Sequence, residues 1–187
     1  MEEVFNTSDV RLRRVGVSDE DLLWLMLFYA SHSNDEPGVG PGDVKSNVDL
    51  RRYVVGWGRT GDVGVIAETE ERICGAAWLR LFTESDRLDP AYVDDRTPEL
   101  AVAVLPGLER DGIGTRMLTS LFESAKQFHP AVVLSVRLGN PAIRLYERLG
   151  FRAVSHMTNR VGTESVKMVL TLQEPQGVCH GTETPHT

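Results

Sequence analysis

A short glycine-containing turn is the segment of this chain best suited to chemistry. It consists of Asp111, Gly112, Ile113, Gly114 and Thr115, at the point where an amphipathic helix is predicted to begin. The first N–H groups of a helix have no partners within it and lie at the positive end of the helix dipole, so a helix start binds anions. Glycines at positions 112 and 114 remove side chains that would keep a pyrophosphate away from these N–H groups. The turn therefore predicts a site for a nucleotide-like cofactor.

Two apolar elements flank the turn. Before it, Glu99–Leu105 alternates as a strand with largely apolar residues on both faces, which predicts a central strand of a sheet. After it, apolar residues recur at helical spacing and predict one buried stripe: Ile113, Met117, Leu118, Leu121, Phe122, Ala125 and Phe128. A strand, a phosphate-binding turn and a helix packed on the sheet thus follow one another in the middle of the chain.

The chain before this region contains the signals of five further elements. They are a strand Val10–Val17, a helix from Asp19 to about Ser31, a helical piece around Val48–Trp57, and a hairpin of strands Val63–Glu68 and Ile73–Phe82. Ser18 is the predicted N-cap of the first helix. The apolar face of that helix is predicted to carry Leu22, Leu25, Met26 and Tyr29. Glycine, proline and polar residues predict a loop over residues 31–43.

The chain after the amphipathic helix is equally regular. It contains a strand Ala131–Val136, a helix Pro141–Leu149 and two strands, Phe151–Met157 and Val166–Leu172, predicted to be antiparallel. Asn140 and Pro141 are an N-cap and first-turn pair, and Gly150 is a typical helix stop. The fold class is therefore α/β, with a mixed sheet flanked by helices. We expect one domain over residues 1–172 and a polar, disordered tail over 173–187.

Composition excludes several classes of function. A formal charge of −7 over 187 residues disfavours a general nucleic-acid binder, which needs a surplus of Lys and Arg. No apolar run is long enough to cross a bilayer, so no membrane partner is expected. Two cysteines, Cys74 and Cys179, form no disulfide framework, and the chain suits a reducing cytoplasm. The five histidines lack ligand spacing, so no metal is expected.

Two segments together resemble the GNAT superfamily of acyl-CoA-dependent N-acyltransferases. The family's first motif is Gln or Arg, two residues, Gly, one residue, then Gly or Ala, and the corresponding segment here runs from Glu109 to Gly114. The second segment, NPAIRLYERLGF at residues 140–151, is similar to the family's Asn, Ala, Leu-Tyr and Leu-Gly-Phe segment. The order of elements agrees over roughly residues 10–172. The resemblance implies a GNAT-like mixed, mostly antiparallel central sheet of about seven strands flanked by about four helices.

One motif position departs from the family pattern. Glu109 stands where the family has Gln or Arg, which places an acid near the expected pyrophosphate. Either Glu109 turns outward while Arg110 supplies compensating positive charge, or the affinity for the cofactor is reduced; we expect the first. Backbone amides provide most of the grip on the pyrophosphate, and they do not depend on side-chain identity.

The resemblance also implies how acetyl-CoA is held as a cosubstrate, without a metal. Its pantetheine arm would pair as an added strand with Val102, Ala103 and Val104, and the Val104 N–H would polarise the thioester carbonyl. Its diphosphate would lie on the amides from Arg110 to Thr115, that is, of Arg110, Asp111, Gly112, Ile113, Gly114 and Thr115. Asn140 contacts the cofactor, caps the last helix, or does both.

Two residues are the candidates for acid and base in direct transfer to an amine. The resemblance implies that Tyr146 is the acid beside the thioester sulfur, whereas the helix pattern alone favours a core aromatic. Glu99 opens the fourth strand where many family members keep an acidic base, and an ordinary strand-edge charge is an equal alternative. Asp94 and Asp95 are weaker candidates for the base.

Cys74 offers a different mechanism, a ping-pong reaction through a covalent acyl-enzyme. It lies in ICGAAW, among small and apolar residues with no neighbouring base, so an inert buried thiol is favoured. Tyr53 and Trp57 are candidates for the lining of an acceptor pocket.

The acceptor is poorly specified by the sequence. Acids before the fourth strand and in the first long loop would make the acceptor mouth negative if these loops converge: Asp35, Glu36, Asp86, Asp89, Asp94, Asp95 and Glu99. Such a mouth favours a cationic amine, whereas loop charges are equally consistent with an ordinary solvated surface. A small-molecule amine, a peptide N-terminus and a protein lysine all stay open, as does a homodimer.

The predicted function is therefore an N-acetyltransferase that uses acetyl-CoA in a ternary complex. The alternative from another class is an acyl-CoA-binding sensor or interaction module that has lost the chemistry. A nucleoside-triphosphate enzyme is disfavoured, because Thr115 and Arg116 follow Gly114 where a phosphate-binding loop of that kind ends in Lys and Ser or Thr.

Overall fold

The computed structural model describes residues 7–35, 37–82, 92–109, 111–158 and 162–173. The described strands are β1 Arg11–Arg14, β2 Val63–Glu68, β3 Ile73–Arg80, β4 Glu99–Val104, β5 Ala131–Arg137, β6 Arg152–Thr158 and β7 Glu164–Thr171. The described α-helices are α1 Glu20–Ala30, α2 Pro41–Ser46, α3 Val48–Arg51, α4 Ile113–Ala125 and α5 Ile143–Arg148. Short 3-10 turns occupy Thr7–Asp9, Val17–Asp19 and Ser33–Asp35.

All seven strands form one sheet in the order β1-β2-β3-β4-β5-β7-β6. Neighbouring strands are antiparallel except β4 and β5, which are parallel because α4 carries the chain back across the sheet between them. The predicted mixed, mostly antiparallel sheet with a central fourth strand is confirmed.

Helices cover both faces of the sheet. On one face, α4 packs its apolar stripe against a core that includes Leu100 of β4 and Tyr146 of α5. On the other face, α1 packs with residues of α2 and α3 and with Ala101 and Ala103 of β4. Because side chains alternate along a strand, β4 contributes to both cores and separates them.

The predicted face of the first helix is correct at Met26, which is buried, and at Leu22 and Tyr29, which pack against the core on that face of the sheet, but it is wrong at Leu25. Leu25 is 36% exposed, whereas the buried residues of α1 are Leu23, Trp24, Met26, Leu27 and Phe28. Nearly every position of α1 is apolar, so spacing alone could not identify the side that meets the sheet. Ser18 is also not the N-cap of α1: it lies inside the 3-10 turn Val17–Asp19, and Asp19 occupies the cap position.

Helix boundaries differ elsewhere too. α2 begins at Pro41, inside the segment predicted as a loop, because Pro at a first helical position follows Gly40 as N-cap. The predicted helical piece Val48–Trp57 stops at Arg51 and continues as an irregular segment to Asp62. Phe128 lies beyond the end of α4 and is 60% exposed, so it is not part of the buried stripe.

Candidate functional site

The central feature of the site is a gap between β4 and β5. In the described sheet these two strands are paired at a single position, Glu99 with Val133, where Val133 N donates to Pro98 O at 3.0 Å. Leu105 N donates to Cys74 O on the opposite side, at 2.8 Å. Because backbone groups of successive strand residues point to opposite sides, those of Val102 and Val104 face the gap. Beyond Glu99, β4 therefore offers two residues' hydrogen-bonding groups to an added strand.

Ala103 differs from its two neighbours. It is paired with Ala76 of β3, and its backbone groups point toward that strand. Ala103 therefore lines the gap without offering it hydrogen-bonding groups, although it was predicted with Val102 and Val104 as a pairing residue.

The gap opens into a cleft of about 2080 Å³. The cleft is lined by most of the residues predicted for the site: Glu99, Val102, Ala103, Val104, Gly112, Gly114, Thr115, Asn140 and Tyr146. Ile113 instead packs into the core beneath α4, and Asp111 is exposed outside the lining, so these two can contribute only backbone groups. Arg110, also predicted, lies outside the described residues.

The glycine turn has the geometry of an anion cradle. Gly112 is the N-cap of α4 and has a φ of 78°, a left-handed conformation that favours glycine. A Cβ at this residue would meet no atom within 4 Å, so the backbone is open to a ligand. Gly114 follows two residues later, in the first turn of α4, where a Cβ would lie 3.7 Å from Val104 and 3.8 Å from Leu145. The start of α4 thus presents bare N–H groups at the mouth of the cleft.

Glu109 does not block this cradle. Its Oε2 accepts a hydrogen bond from Gly107 N at 2.7 Å, so the carboxylate folds back onto its own turn. The side chain is exposed and reaches the edge of the cleft. The acid that departs from the family motif is therefore held by the turn itself.

Glu99 is the most perturbed carboxyl of the site. It is 3% exposed, and its Oε2 is buried without a hydrogen-bond partner among the described residues. Burial raises the pKa of Glu99 to about 7, against hydrogen bonds from Tyr53 and Ser135 and the charges of Arg52 and Lys167, which favour the ionised form. A carboxyl with this pKa is divided between its two protonation states at neutral pH, as a general base requires.

Tyr146 approaches the cleft from the opposite face of the sheet. Its ring is 8% exposed and packs edge-on against Phe151, with ring centroids 5.7 Å apart. Burial raises the pKa of Tyr146 to about 12, so the hydroxyl stays protonated at neutral pH. Tyr146 belongs to the α4 core, whereas Glu99 shares its face of β4 with Ala101 and Ala103 on the α1 side. The gap between β4 and β5 connects the two sides.

The wall beside Glu99 comes from the segment after α3. Tyr53 lines the cleft, and its ring meets Phe82 edge-on at 5.1 Å. The Arg52 guanidinium lies over the Phe82 ring at 4.5 Å and over the Tyr53 ring at 5.6 Å. Trp57, the other predicted pocket residue, is buried in the α1 core and does not line the cleft.

Asn140 lines the cleft and contacts a residue just after the end of α1. Its Oδ1 accepts from Ala142 N at 2.8 Å in the turn before α5, where Ala142 and not the predicted Asn140 occupies the N-cap position, and its Nδ2 lies 3.3 Å from His32 Nε2. The other ring nitrogen of His32, Nδ1, lies 3.4 Å from Asp35 Oδ2. His32 has a φ of 57°, which is uncommon for a residue with a side chain.

Four residues of this site were missed by the sequence interpretation: His32, Arg52, Ser135 and Lys167. Ser135 and Lys167 are partners on β5 and β7. Lys167 Nζ donates to Tyr92 O at 2.8 Å. No local pattern marks these residues, because strand pairing and loop packing bring Arg52, Ser135 and Lys167 to Glu99, and His32 to Asn140, from distant parts of the chain.

The described lining of the cleft is of mixed charge and does not form a negative mouth. Its acids are Asp35, Asp49, Glu99 and Glu109, and its arginines are Arg51, Arg52, Arg59, Arg137 and Arg148. Asp94 and Asp95 do not line the cleft, and their side chains accept from Arg96 N and from the Tyr92 hydroxyl. Glu36, Asp86 and Asp89 lie outside the described residues.

Cys74 is fully buried, and burial raises the pKa of its thiol, so the site described here gives it no nucleophilic role. Among the described residues, no group of three or more His, Cys, Asp or Glu side chains could hold a metal ion. In the same ranges, no helix is long and apolar enough to cross a membrane.

Comparisons with known proteins agree with this arrangement. Residues 28–151 match the model of the acetyltransferase (GNAT) family. An N-alpha-acetyltransferase from Sulfurisphaera tokodaii is 43% identical over 58 residues, which amount to 29% of this chain and 35% of that protein. The match thus spans about a third of the length of this curated relative.

Solved structures share the whole fold at low sequence identity. An N-acetyltransferase from Staphylococcus aureus Mu50 has a TM-score of 0.65 and 21% identity, covering 88% of this chain and 99% of its own. The protein yncA from Salmonella typhimurium, solved with its cofactor acetyl-CoA, has a TM-score of 0.62 and 20% identity, covering 90% and 96%. At these identities the likeness establishes the fold.

Proposed function

Because the chain belongs to the GNAT acetyltransferase family, we propose that it transfers the acetyl group of acetyl-CoA to a primary amine by direct attack in a ternary complex. The chain is an acetyl-CoA-dependent acyltransferase, and acetyl-CoA supplies an acyl group activated as a thioester. The observation that carries the finer proposal is the placement of Glu99 and Tyr146 on opposite faces of β4, at the two sides of one gap.

The residues present fit an extended acyl donor with a diphosphate. The open backbone at Gly112 and the start of α4 would hold the diphosphate, and the backbone groups of Val102 and Val104 would pair with the pantetheine arm. Asn140 is positioned to exchange its contact with His32 for one with that arm. Acetyl-CoA would then enter from the side of α4 and α5, leaving the α1 side for the acceptor.

Glu99 is proposed as the base. An ammonium must lose a proton before its nitrogen can attack, and the unpartnered Oε2 of Glu99 is available to receive that proton, directly or through a water. The nitrogen then forms a bond to the acyl carbon, the bond from carbon to sulfur breaks, and the second proton that the nitrogen loses converts the departing thiolate to free thiol. The Val104 N–H, which faces the gap, is the proposed donor to the oxygen of the acyl group.

Tyr146 is proposed to stabilise the departing sulfur. With a pKa of about 12 its hydroxyl is protonated at any pH at which the enzyme would be assayed. The same high pKa makes complete proton transfer to a thiolate unfavourable, since thiols titrate near about 8.5. Tyr146 therefore acts first as a hydrogen-bond donor to the developing negative charge.

Among acceptors, we favour an α-amino group. The support is the partial match to an N-alpha-acetyltransferase, together with the mixed charge of the cleft lining, which gives a strongly cationic acceptor little advantage. A peptide N-terminus and a small amine are the two forms to compare.

The test is a panel of amines with acetyl-CoA, in which release of free thiol is followed for the parent protein and two variants. Tyr146→Phe keeps the ring packed on Phe151 and removes one hydroxyl, so kcat should fall roughly 100-fold or more with little change in acetyl-CoA affinity. Tyr92→Phe is the matched control, since its hydroxyl bonds Asp95 away from the cleft. A Tyr146→Phe protein as fast as the parent would remove Tyr146 from the mechanism.

The base is tested by the pH dependence of kcat/KM. The parent should gain activity as pH rises through about 7, as Glu99 ionises, and Glu99→Gln should lose both activity and this limb. A protein that binds acetyl-CoA but releases no thiol with any amine would instead indicate an acyl-CoA-binding sensor.

A further inference from the structure

The last residue of β3 is an arginine without access to solvent. Arg80 is 0% exposed, and its partner Asp62 has a side chain that is 3% exposed. The Arg80 Nη1 lies 2.6 Å from Asp62 Oδ2, while Nε donates to Arg52 O at 3.1 Å and Nη2 donates to Val55 O. One guanidinium thus binds three points of the segment between α3 and β2.

Asp62 makes further hydrogen bonds to the same segment. Its Oδ2 also accepts from Gly58 N at 3.0 Å and from Arg59 N at 2.9 Å. The buried ion pair therefore fixes five positions between residues 52 and 62 through hydrogen bonds to backbone or side chain.

The segment 52–62 has little structure of its own to hold it in place. It contains neither a helix nor a strand, and Gly56, Gly58 and Gly61 all have φ values between 64° and 100°. Glycine-rich backbone of this kind loses much conformational entropy on folding. Its single arrangement must come from contacts with the rest of the protein.

Those contacts come from one face of β3 and its continuation. Trp78 Nε1 donates to Tyr53 O at 3.0 Å, Arg80 binds Arg52 O, and the Phe82 ring meets the Tyr53 ring at 5.1 Å. These three residues alternate along the chain, so they project from the same side. We call Trp78, Arg80 and Phe82 the anchor stripe. It holds the backbone carbonyls of Arg52 and Tyr53, the Tyr53 ring and the Arg52 guanidinium.

Arg80 also lies beside the proposed base. Arg80 and Glu99 are directly opposed in the register of β3 and β4. Tyr53 and Arg52, which the anchor stripe holds, are neighbours of the Glu99 carboxyl and favour its ionised form. The position of this dipeptide therefore affects both the acceptor wall and the charge of Glu99.

Stability alone is a poor reason for such an ion pair. Burying a guanidinium and a carboxylate costs several kcal/mol per ion, and well-packed apolar residues are often as stable or more so. The structural effect of the Arg80–Asp62 pair is to hold the glycine-rich segment 52–62 in one arrangement.

We propose that Arg80, through Asp62, is a positioning residue for acyl transfer, which holds Arg52 and Tyr53 against Glu99 and so shapes the acceptor side of the site. The inference rests on the proposed role of Glu99 as the base. Arg80 touches neither substrate nor reacting atoms, and it acts through the segment that it anchors.

The test compares Arg80→Met and Asp62→Asn with the parent enzyme. Releasing Tyr53 and Arg52 removes groups that favour the ionised Glu99, so the rising limb of kcat/KM should move to higher pH by about half a unit to one unit, roughly a twofold to fivefold loss at pH 7. The loss should be recovered near pH 9, and the acceptor KM should rise while acetyl-CoA affinity stays within about twofold. Arg80→Lys, which keeps the charge but not the three-way binding, should be intermediate.

A matched control separates positioning from general destabilisation. Arg13 on β1 makes hydrogen bonds to Asp19 and Glu68 at 2.7 to 2.9 Å, far from the cleft along the sheet. Arg13→Met should lower stability without moving the limb or the acceptor KM. If Arg80→Met fails to fold, the test relies on Asp62→Asn, because asparagine keeps an oxygen that accepts hydrogen bonds from Gly58 N and Arg59 N. Unchanged acceptor KM and pH profile in a folded variant would overturn the proposal.

Failure of the positioning role of Arg80 can be distinguished from failure of the proposed function. If Glu99→Gln leaves the pH profile of the parent unchanged, Glu99 is not the base. The ionisation of Glu99 is then measured without catalysis, from the pH dependence of the difference in unfolding free energy between each protein and its Glu99→Gln counterpart. A midpoint that moves upward in Arg80→Met supports positioning, and one that stays in place refutes it.

Discussion

Replacing Glu99 by Gln should make the protein more stable at high pH, relative to the parent, although it removes the proposed base. The carboxyl is buried and one of its oxygens has no hydrogen-bond partner among the described residues. Ionising it in this environment costs free energy that glutamine, which never ionises, does not incur. Activity and stability therefore change in opposite directions at one residue.

The magnitude follows from the two pKa values of the carboxyl. Its ordinary pKa is 4.5, and burial raises the pKa in the folded protein to about 7. Between these values the folded protein keeps a proton that the unfolded chain has released, so the free energy of unfolding falls as pH rises. Below 4.5 both states are protonated, and above about 7 both are ionised, so the dependence is confined to this window. An interval of about 2.5 pH units at about 1.4 kcal/mol each gives a loss of about 3 kcal/mol.

The assay is denaturant unfolding of the parent and of Glu99→Gln at closely spaced pH values from 4 to 8.5. The difference between their free energies of unfolding should rise in favour of the variant by about 3 kcal/mol over this range, and hydrogen bonds common to all pH values cancel in it. Glu71→Gln, an exposed position in the turn between β2 and β3, is the matched control and should follow the parent. A difference that is flat with pH would refute the assignment of a raised pKa to Glu99.

Three further predictions concern single residues around the cleft. Glu109→Gln keeps an acceptor for Gly107 N but removes a charge near the diphosphate site; a separation of roughly 8 Å in a water-like medium gives about 0.5–1 kcal/mol, so acetyl-CoA should bind about twofold to fivefold more tightly at low salt, measured by calorimetry. An affinity that is unchanged at low salt would contradict this. Gly112→Ala should lower the stability by about 1–2 kcal/mol because of its φ of 78°, and should weaken acetyl-CoA binding more than tenfold, since its Cβ enters the open cradle. Equal affinity would mean that the diphosphate lies elsewhere. Gly75→Ala should lower the free energy of unfolding by about 2–3 kcal/mol, because its Cβ would lie 2.6 Å from Ala103 O between β3 and β4, and a melting temperature equal to the parent's would contradict that.

Local signals predicted the elements well where short apolar runs are bounded by glycines and charged residues. The strands β2 to β5 and the turn before α4 were predicted close to their observed limits, because glycines and charged residues separate short apolar runs. α1 shows where this fails. Its apolar residues surround the helix, so the buried side is chosen by the sheet and by α2 and α3 and not by spacing.

The site was predictable only to the extent that it is local. The cradle at Gly112 and the hydroxyl at Tyr146 belong to contiguous motifs. The gap depends on β4 and β5 parting after Glu99, and the groups around Glu99 come from the segment after α3 and from β5 and β7. Such neighbours are set by strand register over more than thirty residues of separation, which a single sequence does not reveal. The burial of Arg80 could not be predicted from the sequence either, because an arginine at a strand end is ordinarily a surface residue.

The sheet separates two sides of the protein, and in the described residues the gap between β4 and β5 connects them. The proposed donor side is built from α4, α5 and the glycine turn, and the proposed acceptor side from α1, α3 and the segment held by the anchor stripe. Because the two sides share little besides β4, mutations that reshape the acceptor wall leave the donor wall intact. Descendants of this chain can therefore change the molecule they modify while keeping the same source of acyl groups.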